Sequence, residues 1–442
     1  MSQRRGPPFT IRQVRGASYP PLTAPPSRGS GRAAPAGTPA AAPSAGAPSG
    51  SRASPPAPAP ARAPTAAPAA AAPSTSRPAA DPTVVLSRDA QRLKLFDRLL
   101  KDVEVVDLAK LRPASWSGIP EQHRPVCWQL LLGYLPSNLE WRADTLQRKR
   151  REYWASVPQY FDVDDAERSQ YQKDTLHQIL MDVPRTCPSS RLLHHEVVQR
   201  ALERILYIWA LRHPASGYVQ GINDLVTPFF MVFLSEHLPH DRPHTVEDVD
   251  AIPPAMLAQV EADAYWCLSK LLDSIQDHYT FAQPGIQRMV FKLKEIVARI
   301  DAPLHAHLAE QGLSFIQFAF RWMNCLLMRE LSLDLIYRVW DTYLAEIGGT
   351  DDTNAFGMPY QVGAASQSEG FAVLHVYMCA ALLVHWSAEL QALEFQDLVM
   401  FLQELPTSGW SSADVGALLS QAFVYMSLYH NAPNHLRVTQ AT

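Results

Sequence analysis

Two polar turns hold the side chains of this sequence that are best suited to chemistry on a negatively charged group. The first turn is Asp182-Val-Pro-Arg185, and the second is Gly217-Tyr-Val-Gln220. Prolines on both sides of Arg185 stiffen its loop, so a guanidinium held there loses less conformational entropy when it meets a partner. Gln220 lies just before a predicted helix, where its amide can be aimed outward from the first turn. These two side chains are the primary site candidates.

The segment between the two turns is patterned as an amphipathic helix. From Glu196 to about Arg212, apolar residues recur at steps of four, three and four, and polar residues occupy the opposite face. The apolar positions are Val198, Leu202, Ile205 and Trp209. His213-Pro214 and Gly217 predict the end of the helix, because the residue before proline leaves the α region and glycine tolerates a left-handed cap. A second, mostly apolar helix from Ile222 to Leu238 is predicted to be buried.

The length of the first helix decides whether Arg185 and Gln220 can meet. At about 1.5 Å per residue, a helix from Glu196 to Arg212 is about 25 Å long, which would place the turns at opposite ends. The chain from Arg185 to His195 can span about 30 Å when extended, so the arginine loop can fold back. Chain length therefore permits the two side chains to converge but does not require it.

Three short motifs occur in one order along the chain. Arg124-Pro-Val-Cys-Trp128 matches RxxxW, Ile179-Leu-Met-Asp-Val-Pro-Arg185 matches IxxDxxR, and Tyr218-Val-Gln220 matches YxQ. In these motifs the chain resembles the TBC-domain GTPase-activating proteins of Rab GTPases. The resemblance covers roughly Leu111 to Ser427, and three further segments are similar to the Golgi-associated subgroup of that family. These are Tyr279-Thr-Phe-Ala-Gln-Pro-Gly285, Phe318-Ala-Phe-Arg-Trp-Met-Asn324 and Val339-Trp-Asp-Thr-Tyr343.

The resemblance implies that the chain accelerates GTP hydrolysis by a Rab-family GTPase and so regulates vesicle trafficking. Arg185 would be an arginine finger that offsets the negative charge on the phosphoryl oxygens in the transition state. Gln220 would orient the attacking water, a task usually performed by a glutamine of the GTPase itself. Asp182 would hold the arginine loop by accepting hydrogen bonds.

The other motif residues are Ile179, Tyr218, Arg124 and Trp128, which the resemblance makes supporting residues of the site. Arg124 and Trp128 lie one helical turn apart, so both can occupy one face of a helix. A purely structural interpretation of this pair stays open, with Trp128 in the core and Arg124 as its packing partner. A tryptophan buries a large area wherever it lies.

Less specific interpretations of Arg185 and Gln220 also stay open. An arginine three residues from an aspartate often forms a surface ion pair, which contributes about 0–1 kcal/mol. A tyrosine and a glutamine before a helix often serve capping and packing. The chain could also be a catalytically silent scaffold that binds a Rab or a Golgi adaptor. The presence of both Arg185 and Gln220 disfavours the scaffold, since a chain freed from catalysis could lose either residue.

The sequence lacks the motifs of a self-contained hydrolase. It contains no GxxxxGK[ST] loop, no G-x-S-x-G and no H-E-x-x-H, so any catalytic arginine would act in a site completed by another protein. We expect no cofactor of the chain's own, with GTP and Mg²⁺ held by the partner GTPase. His237, His240 and His244 are interleaved with prolines and have no distant ligand set, which disfavours a metal site.

Charge and composition divide the chain unevenly. Residues 1–80 contain nine arginines, no lysine and no acidic residue, and are rich in Ala, Pro and Ser, which is typical of a disordered segment. With −4 for the whole chain and +9 for this tail, the remaining 362 residues carry about −13, which disfavours a nucleic-acid-binding core. The tail resembles a transit peptide in composition, but its prolines forbid the amphipathic helix of such peptides. Arg52-Ala-Ser54-Pro55 is a candidate phospho-dependent docking site for an adaptor.

The cysteines and the apolar segments point to a cytoplasmic protein. Five scattered cysteines without a CxxC pair are typical of a reducing compartment. The longest apolar run, Leu225 to Leu234, is too short for a transmembrane segment, which needs about 20 residues. We expect the protein to be peripheral to the Golgi or other endomembranes, held there through partners.

The folded part is predicted to be all-α, because no period-two run typical of strands occurs. We expect a disordered tail at 1–80, a lead-in helix within 81–110, a TBC domain at 111–430 with a mobile insertion at 347–370, and a frayed end at 431–442. Loops are predicted at Leu111–Pro120 and Glu236–Pro254. The lead-in helix is predicted at Arg88–Leu111, and another helix is predicted to begin at Arg148. The other predicted helices are Glu121–Leu132, Leu257–Asp277, Gln287–Ile300, Phe315–Glu330, Leu333–Glu346, Phe371–Leu390, Phe395–Leu405 and Ser412–Tyr429.

Overall fold

The computed structural model describes residues 82–101, 103–239, 242–347 and 369–430. The predicted tail, nearly all of the predicted insertion and the predicted frayed end lie outside these residues. Within them the chain is all-α, as predicted, and its extended backbone pairs only in one isolated antiparallel bridge between Val105 and Asn138.

Seventeen α-helices, most of them joined by short turns, occupy the described residues. They are α1 Pro82–Leu100, α2 Leu108–Trp116, α3 Arg124–Leu131, α4 Arg142–Tyr160, α5 Gln170–Asp182, α6 Glu196–Arg212, α7 Ile222–Ser235, α8 Glu247–Asp250, α9 Pro254–Ser274, α10 Pro284–Ile300, α11 Ala302–Glu310, α12 Phe315–Asn324, α13 Leu333–Glu346, α14 Glu369–His385, α15 Ser387–Gln391, α16 Phe395–Gln403 and α17 Ser412–Tyr429.

Helix α7 is buried along nearly its whole length, as its apolar sequence predicts. Every residue from Ile222 to Leu234 is buried. Its Phe229 packs edge-on against Trp128 of α3 and Trp340 of α13, with ring centroids 5.7 and 5.4 Å away. Burying each such aromatic side chain contributes about 1.5–3 kcal/mol. Because α7 begins two residues after Gln220, the glutamine turn is attached directly to a buried helix.

A buried aspartate explains the RxxxW motif in structural terms. Trp128 is fully buried, and its indole Nε1 donates to Asp341 Oδ1 at 2.8 Å. Arg124 Nε donates to the same oxygen at 3.1 Å, and the backbone N of Ile119 donates to Asp341 Oδ2 at 2.8 Å. Burial raises the pKa of Asp341, and the Arg124 guanidinium opposes that shift. Trp128 therefore lies in the core, and Arg124 is tied to it through their shared acceptor Asp341.

Replacing Asp341 with alanine is expected to lower the free energy of unfolding by about 3–5 kcal/mol, because Arg124 then keeps a largely buried charge without its counterion. Urea denaturation measures the difference. Glu152→Ala is the control, since Glu152 forms an exposed ion pair with Lys149 that contributes about 0–1 kcal/mol. Equal stability of the two variants would contradict the structural role.

The lead-in segment contains two helices where one was predicted. Helix α1 ends at Leu100 rather than Leu111, and α2 occupies much of the predicted loop Leu111–Pro120. Asp107 caps α2, because its Oδ1 accepts from the backbone N of Ala109 at 3.0 Å. Between the helices, the backbone N of Val106 donates to the carbonyl of Ser137 at 2.9 Å. This pairing with a distant segment holds the chain extended, and local periodicity does not encode it.

Helix α12 ends at Asn324, six residues before the predicted end at Glu330. Leu326 and Leu327 adopt φ values of 49° and 63°, in the left-handed region. This conformation costs about 1–2 kcal/mol per residue. Both leucines are at most 1% exposed, and burying each contributes about 1.5–3 kcal/mol, so core packing outweighs helical continuation.

The remaining differences are shifted helix ends, one divided helix and helices that the sequence did not predict. Helix α7 ends at Ser235 rather than Leu238, α4 begins at Arg142 rather than Arg148, and α5 and α11 were not predicted. Helix α9 ends at Ser274 and is followed by a 3-10 turn at Gln276–His278. The predicted helix Phe371–Leu390 is divided at Trp386 into α14 and α15, and the predicted loop Glu236–Pro254 contains the short α8. The predicted bounds of α6, α13 and α17 are confirmed.

Candidate functional site

The arginine turn continues directly from helix α5. Ser169 and Gln172 form a capping box at the start of α5, and the helix buries Ile179 completely. At Asp182 the chain tightens into a 3-10 turn, Val183–Arg185, whose early proline fits because the first turn needs no internal N–H donor. The turn is thus held by the core on one side and leaves Arg185 at the surface.

The carboxylate of Asp182 joins the two predicted turns. It is 1% exposed, and its Oδ1 accepts from Arg185 Nε at 3.0 Å. Its Oδ2 accepts from the Tyr218 hydroxyl at 2.8 Å. Burial, followed by the charge of Asp182, raises the pKa of Tyr218 well above its usual value, so this phenol stays protonated and donates. One buried group therefore orients the arginine and fixes the YxQ turn.

A second hydrogen-bond chain links the same two turns. Asn223, at the start of α7, donates from Nδ2 to Thr186 Oγ1 at 2.8 Å. Its Oδ1 accepts from the backbone N of Gly221 at 2.9 Å. Thr186 Oγ1 in turn donates to the carbonyl of Asp182 at 2.9 Å. These bonds are buried, so they hold the turns together without competition from water.

The backbone of Gln220 is fixed from a third direction. Its carbonyl accepts from Asn324 Nδ2, at the end of α12, at 2.9 Å. The next residue, Gly221, has φ of +110°, and a Cβ there would lie 2.2 Å from Asn324 Nδ2. Glycine is therefore required both by its conformation and by the close approach of Asn324.

The two candidate side chains differ in exposure, and neither is fully buried. The Arg185 side chain is 59% exposed, and Gln220 is partly exposed. The connection from Arg185 to α6 contains a 3-10 turn at Arg191–His194, and the arginine turn is joined to the glutamine turn by the hydrogen bonds from Tyr218 to Asp182 and from Asn223 to Thr186. A guanidinium and an amide held on neighbouring rigid turns can contact an anionic group and a water molecule presented by another molecule.

Of the seven predicted residues, Arg185, Asp182 and Tyr218 are joined by hydrogen bonds, and Gln220 lies two residues after Tyr218 on the same turn. Ile179 packs in the core behind them. Arg124 and Trp128 do not join this hydrogen-bond network and bind Asp341 instead.

Three residues that fix the turns belong to none of the three motifs and were not predicted: Thr186, Asn223 and Asn324. The proximity of Asn223 to Gly221 suggests a turn, because asparagine readily bonds nearby backbone groups. Asn324 lies in a segment noted for its resemblance, but no sequence pattern reveals its bond to the carbonyl of Gln220, 104 residues away.

We expect Tyr218→Phe to lower the free energy of unfolding by about 1–3 kcal/mol, because a buried acceptor of Asp182 loses its donor. Chemical denaturation of the two proteins measures this difference. Tyr207→Phe is the matched control, since Tyr207 is fully buried and its hydroxyl has no hydrogen-bond partner among the described residues. A Tyr218→Phe protein as stable as the control would refute the proposed link between the turns.

The described residues contain no group of three His, Cys, Asp or Glu side chains that could hold a metal ion. Of the histidine run, His240 lies outside the described residues, and His244 Nε2 contacts the carbonyl of Pro239 at 3.0 Å. No helix in the described ranges is long and apolar enough to cross a membrane.

Comparison with known proteins identifies the fold that carries this site. Over 77% of its length the chain matches 99% of a crystal structure of the Ypt/Rab-GAP domain of Gyp1p, with a TM-score of 0.67 and 45% identity. It also matches the crystal structure of a Chlamydomonas flagellar RabGAP TBC domain at a TM-score of 0.51 and 18% identity, over 78% of this chain and 94% of that one. The second likeness concerns the fold alone.

Curated relatives show the same similarity in sequence. The chain is 51% identical to the GTPase-activating protein gyp1 of Schizosaccharomyces pombe over 78% of its own length and 63% of that protein. It is 47% identical to human TBC1 domain family member 22A over 82% of its length and 65% of that protein. The chain thus spans less than two thirds of the length of these two relatives. The Rab-GTPase-TBC domain profile matches residues 121–356. The chain belongs to the Rab-GTPase-TBC domain family.

Proposed function

We propose that this chain accelerates GTP hydrolysis by a Rab-family GTPase, with Arg185 and Gln220 supplied in trans to the partner's nucleotide site. The observation that carries the proposal is the junction of the two turns around Asp182, where Arg185 Nε and the Tyr218 hydroxyl bind opposite oxygens of one buried carboxylate. This junction holds the exposed guanidinium and the backbone of Gln220 on neighbouring rigid turns. A composite site of this kind needs that arrangement.

The partner supplies GTP and Mg²⁺, and this chain supplies charge and orientation. The Arg185 guanidinium is more than half exposed, so its ion pair with Asp182 is weakened by solvent and can be exchanged for phosphoryl oxygens. In the transition state it offsets charge on those oxygens, and the Gln220 amide orients the attacking water. Asp182 positions the arginine and does not contact the nucleotide.

The relatives support the same partner class. The Schizosaccharomyces pombe protein is named a GTPase-activating protein, and the Gyp1p structure is that of a Ypt/Rab-GAP domain. Cytoplasmic location at the surface of the Golgi or other endomembranes, where vesicle traffic is regulated, is part of the proposal. So is recruitment of an adaptor through the N-terminal tail around Ser54.

Single-turnover GTP hydrolysis by a panel of Rab proteins tests the proposed activity. Each Rab is loaded with GTP and followed with and without the full chain. At least one Rab should hydrolyse GTP about 10³–10⁵-fold faster with the chain present. Binding of GTP-loaded Rabs without acceleration of any of them would favour the silent scaffold instead.

A further inference from the structure

Phe281 is the most exposed of the large apolar side chains among the described residues, with 73% of its surface accessible. It lies between the 3-10 turn Gln276–His278 and helix α10. Burying a phenylalanine contributes about 1.5–3 kcal/mol, and the isolated chain does not gain this energy at Phe281. A partner that covers Phe281 would gain this energy, as buried aromatic anchors do at interfaces.

The turn that carries Phe281, Thr280–Gln283, is hydrogen-bonded and has two residues in the left-handed region. It is closed by a hydrogen bond from the backbone N of Gln283 to the carbonyl of Thr280 at 2.9 Å. Ala282 and Gln283 have φ values of 63° and 47°, and each left-handed residue costs about 1–2 kcal/mol. A further bond, from Gln287 Nε2 to the carbonyl of Ala282 at 2.7 Å, fixes the turn to α10. A side chain on such a turn loses little entropy on binding.

Hydrogen bonds connect this turn to the glutamine site. Tyr279 is buried, and its hydroxyl donates to the carbonyl of Asn324 at 2.8 Å. The side chain of the same Asn324 donates to the carbonyl of Gln220 at 2.9 Å. Phe281 is only two residues beyond Tyr279, a span of at most about 7 Å. A standard interface covers about 800 Å² of each partner, equivalent to a disc about 30 Å across, so one partner can cover both Gln220 and Phe281.

The arginine side of the site also exposes an apolar side chain. Met181 precedes Asp182 at the end of α5 and is 62% exposed. Apolar side chains therefore accompany both candidate residues: Met181 is four positions before Arg185, and Phe281 is linked to Gln220 through Asn324. Each candidate residue thus has an exposed apolar side chain on its own or a hydrogen-bonded element.

We propose that the Thr280–Gln283 turn is a docking element for the GTPase, with Phe281 inserting among apolar side chains beside the partner's nucleotide pocket. The inference rests on the proposed function and extends it, because it names a contact that supplies affinity rather than catalysis. Since Asn324 joins the turn to the backbone of Gln220, docking at Phe281 also fixes where the amide meets the nucleotide.

Two measurements on the full chain test this docking element. The first is the affinity for a Rab loaded with a non-hydrolysable GTP analogue. The second is the chain concentration that gives half-maximal acceleration of GTP hydrolysis. Phe281→Ala should weaken both by about 10–100-fold and change the rate at saturation by less than about threefold, as expected for a hot spot outside the chemistry. Phe291→Ala is the control, because Phe291 is 63% exposed on α10 but outside the turn.

The outcomes separate docking from catalysis. Weakening by Phe281→Ala but not by Phe291→Ala supports the docking element. Equal affinity of Phe281→Ala and the wild type, or equal weakening by both variants, overturns it. If the wild type binds a Rab but does not accelerate hydrolysis, the affinities still decide the role of Phe281, and only the proposed catalysis fails. Binding to no Rab in the panel would overturn both.

Discussion

Replacing Arg185 with alanine is expected to lower the stimulated rate of GTP hydrolysis by about 10³–10⁵-fold, which corresponds to about 4–7 kcal/mol of transition-state stabilisation. The physical reason is that, in the proposal, the Arg185 guanidinium is the one group of this chain that offsets the negative charge on the phosphoryl oxygens in the transition state. Because the Arg185 side chain is 59% exposed and Asp182 keeps the hydrogen bond from the Tyr218 hydroxyl, removing the guanidinium should leave the fold intact. Single-turnover hydrolysis at saturating chain concentration measures the loss.

Two matched variants define what the arginine contributes. Arg185→Lys keeps the charge but loses the planar fork of donors, so it should restore only a small part of the rate. Arg191→Ala removes an exposed arginine from the same connection between α5 and α6 and should leave the rate unchanged. Full activity of Arg185→Ala would exclude the arginine finger, whatever the other variants do.

Replacing Gln220 with alanine is expected to lower the stimulated rate of GTP hydrolysis by about 10²–10⁴-fold. This is the typical contribution of a side chain positioned for proton transfer or water activation. The loss should occur even with a Rab that retains its own glutamine, because the proposal assigns water orientation to this chain. The backbone contact to Asn324 is unaffected by the substitution, so the turn itself should keep its position. The measurement is again the single-turnover rate at saturation.

Position matters as much as chemical type at Gln220. Gln220→Asn carries the same amide one methylene shorter and should rescue little, since a displacement of about 1 Å can cost about 10²-fold. Gln199→Ala, at a partly buried glutamine of α6, serves as the control and should behave as the wild type. If Gln220→Ala stimulates GTP hydrolysis as fast as the wild type, the attacking water is oriented by the GTPase alone.

Much of the fold follows from local patterns. The bounds of α6 are predictable because its apolar stripe is regular and His213-Pro214 ends it. Burial of α7 follows from its almost uninterrupted apolar sequence. The end of α12 is not predictable in this way, because Leu326 and Leu327 leave the helix in response to packing in the core. Tertiary contacts override the helical periodicity where they bury more apolar surface than a continued helix would.

The candidate residues of the site can be chosen from the sequence, but the contacts that assemble their turns cannot. Motif matching singles out Arg185 and Gln220, and chain-length arithmetic permits their turns to meet. Their actual junction depends on pairs distant in sequence, such as Asn223 with Thr186 and Asn324 with Gln220. Amide and hydroxyl groups bond so many partners that spacing alone cannot select these pairs.

The most direct test of two groups acting in trans uses a Rab whose own catalytic glutamine has been replaced by alanine. If Gln220 orients the water, the wild-type chain should still accelerate GTP hydrolysis by this Rab, and Gln220→Ala should abolish the acceleration. If the wild-type chain accelerates the intact Rab but not the substituted one, the water is held by the GTPase, and the central claim is wrong.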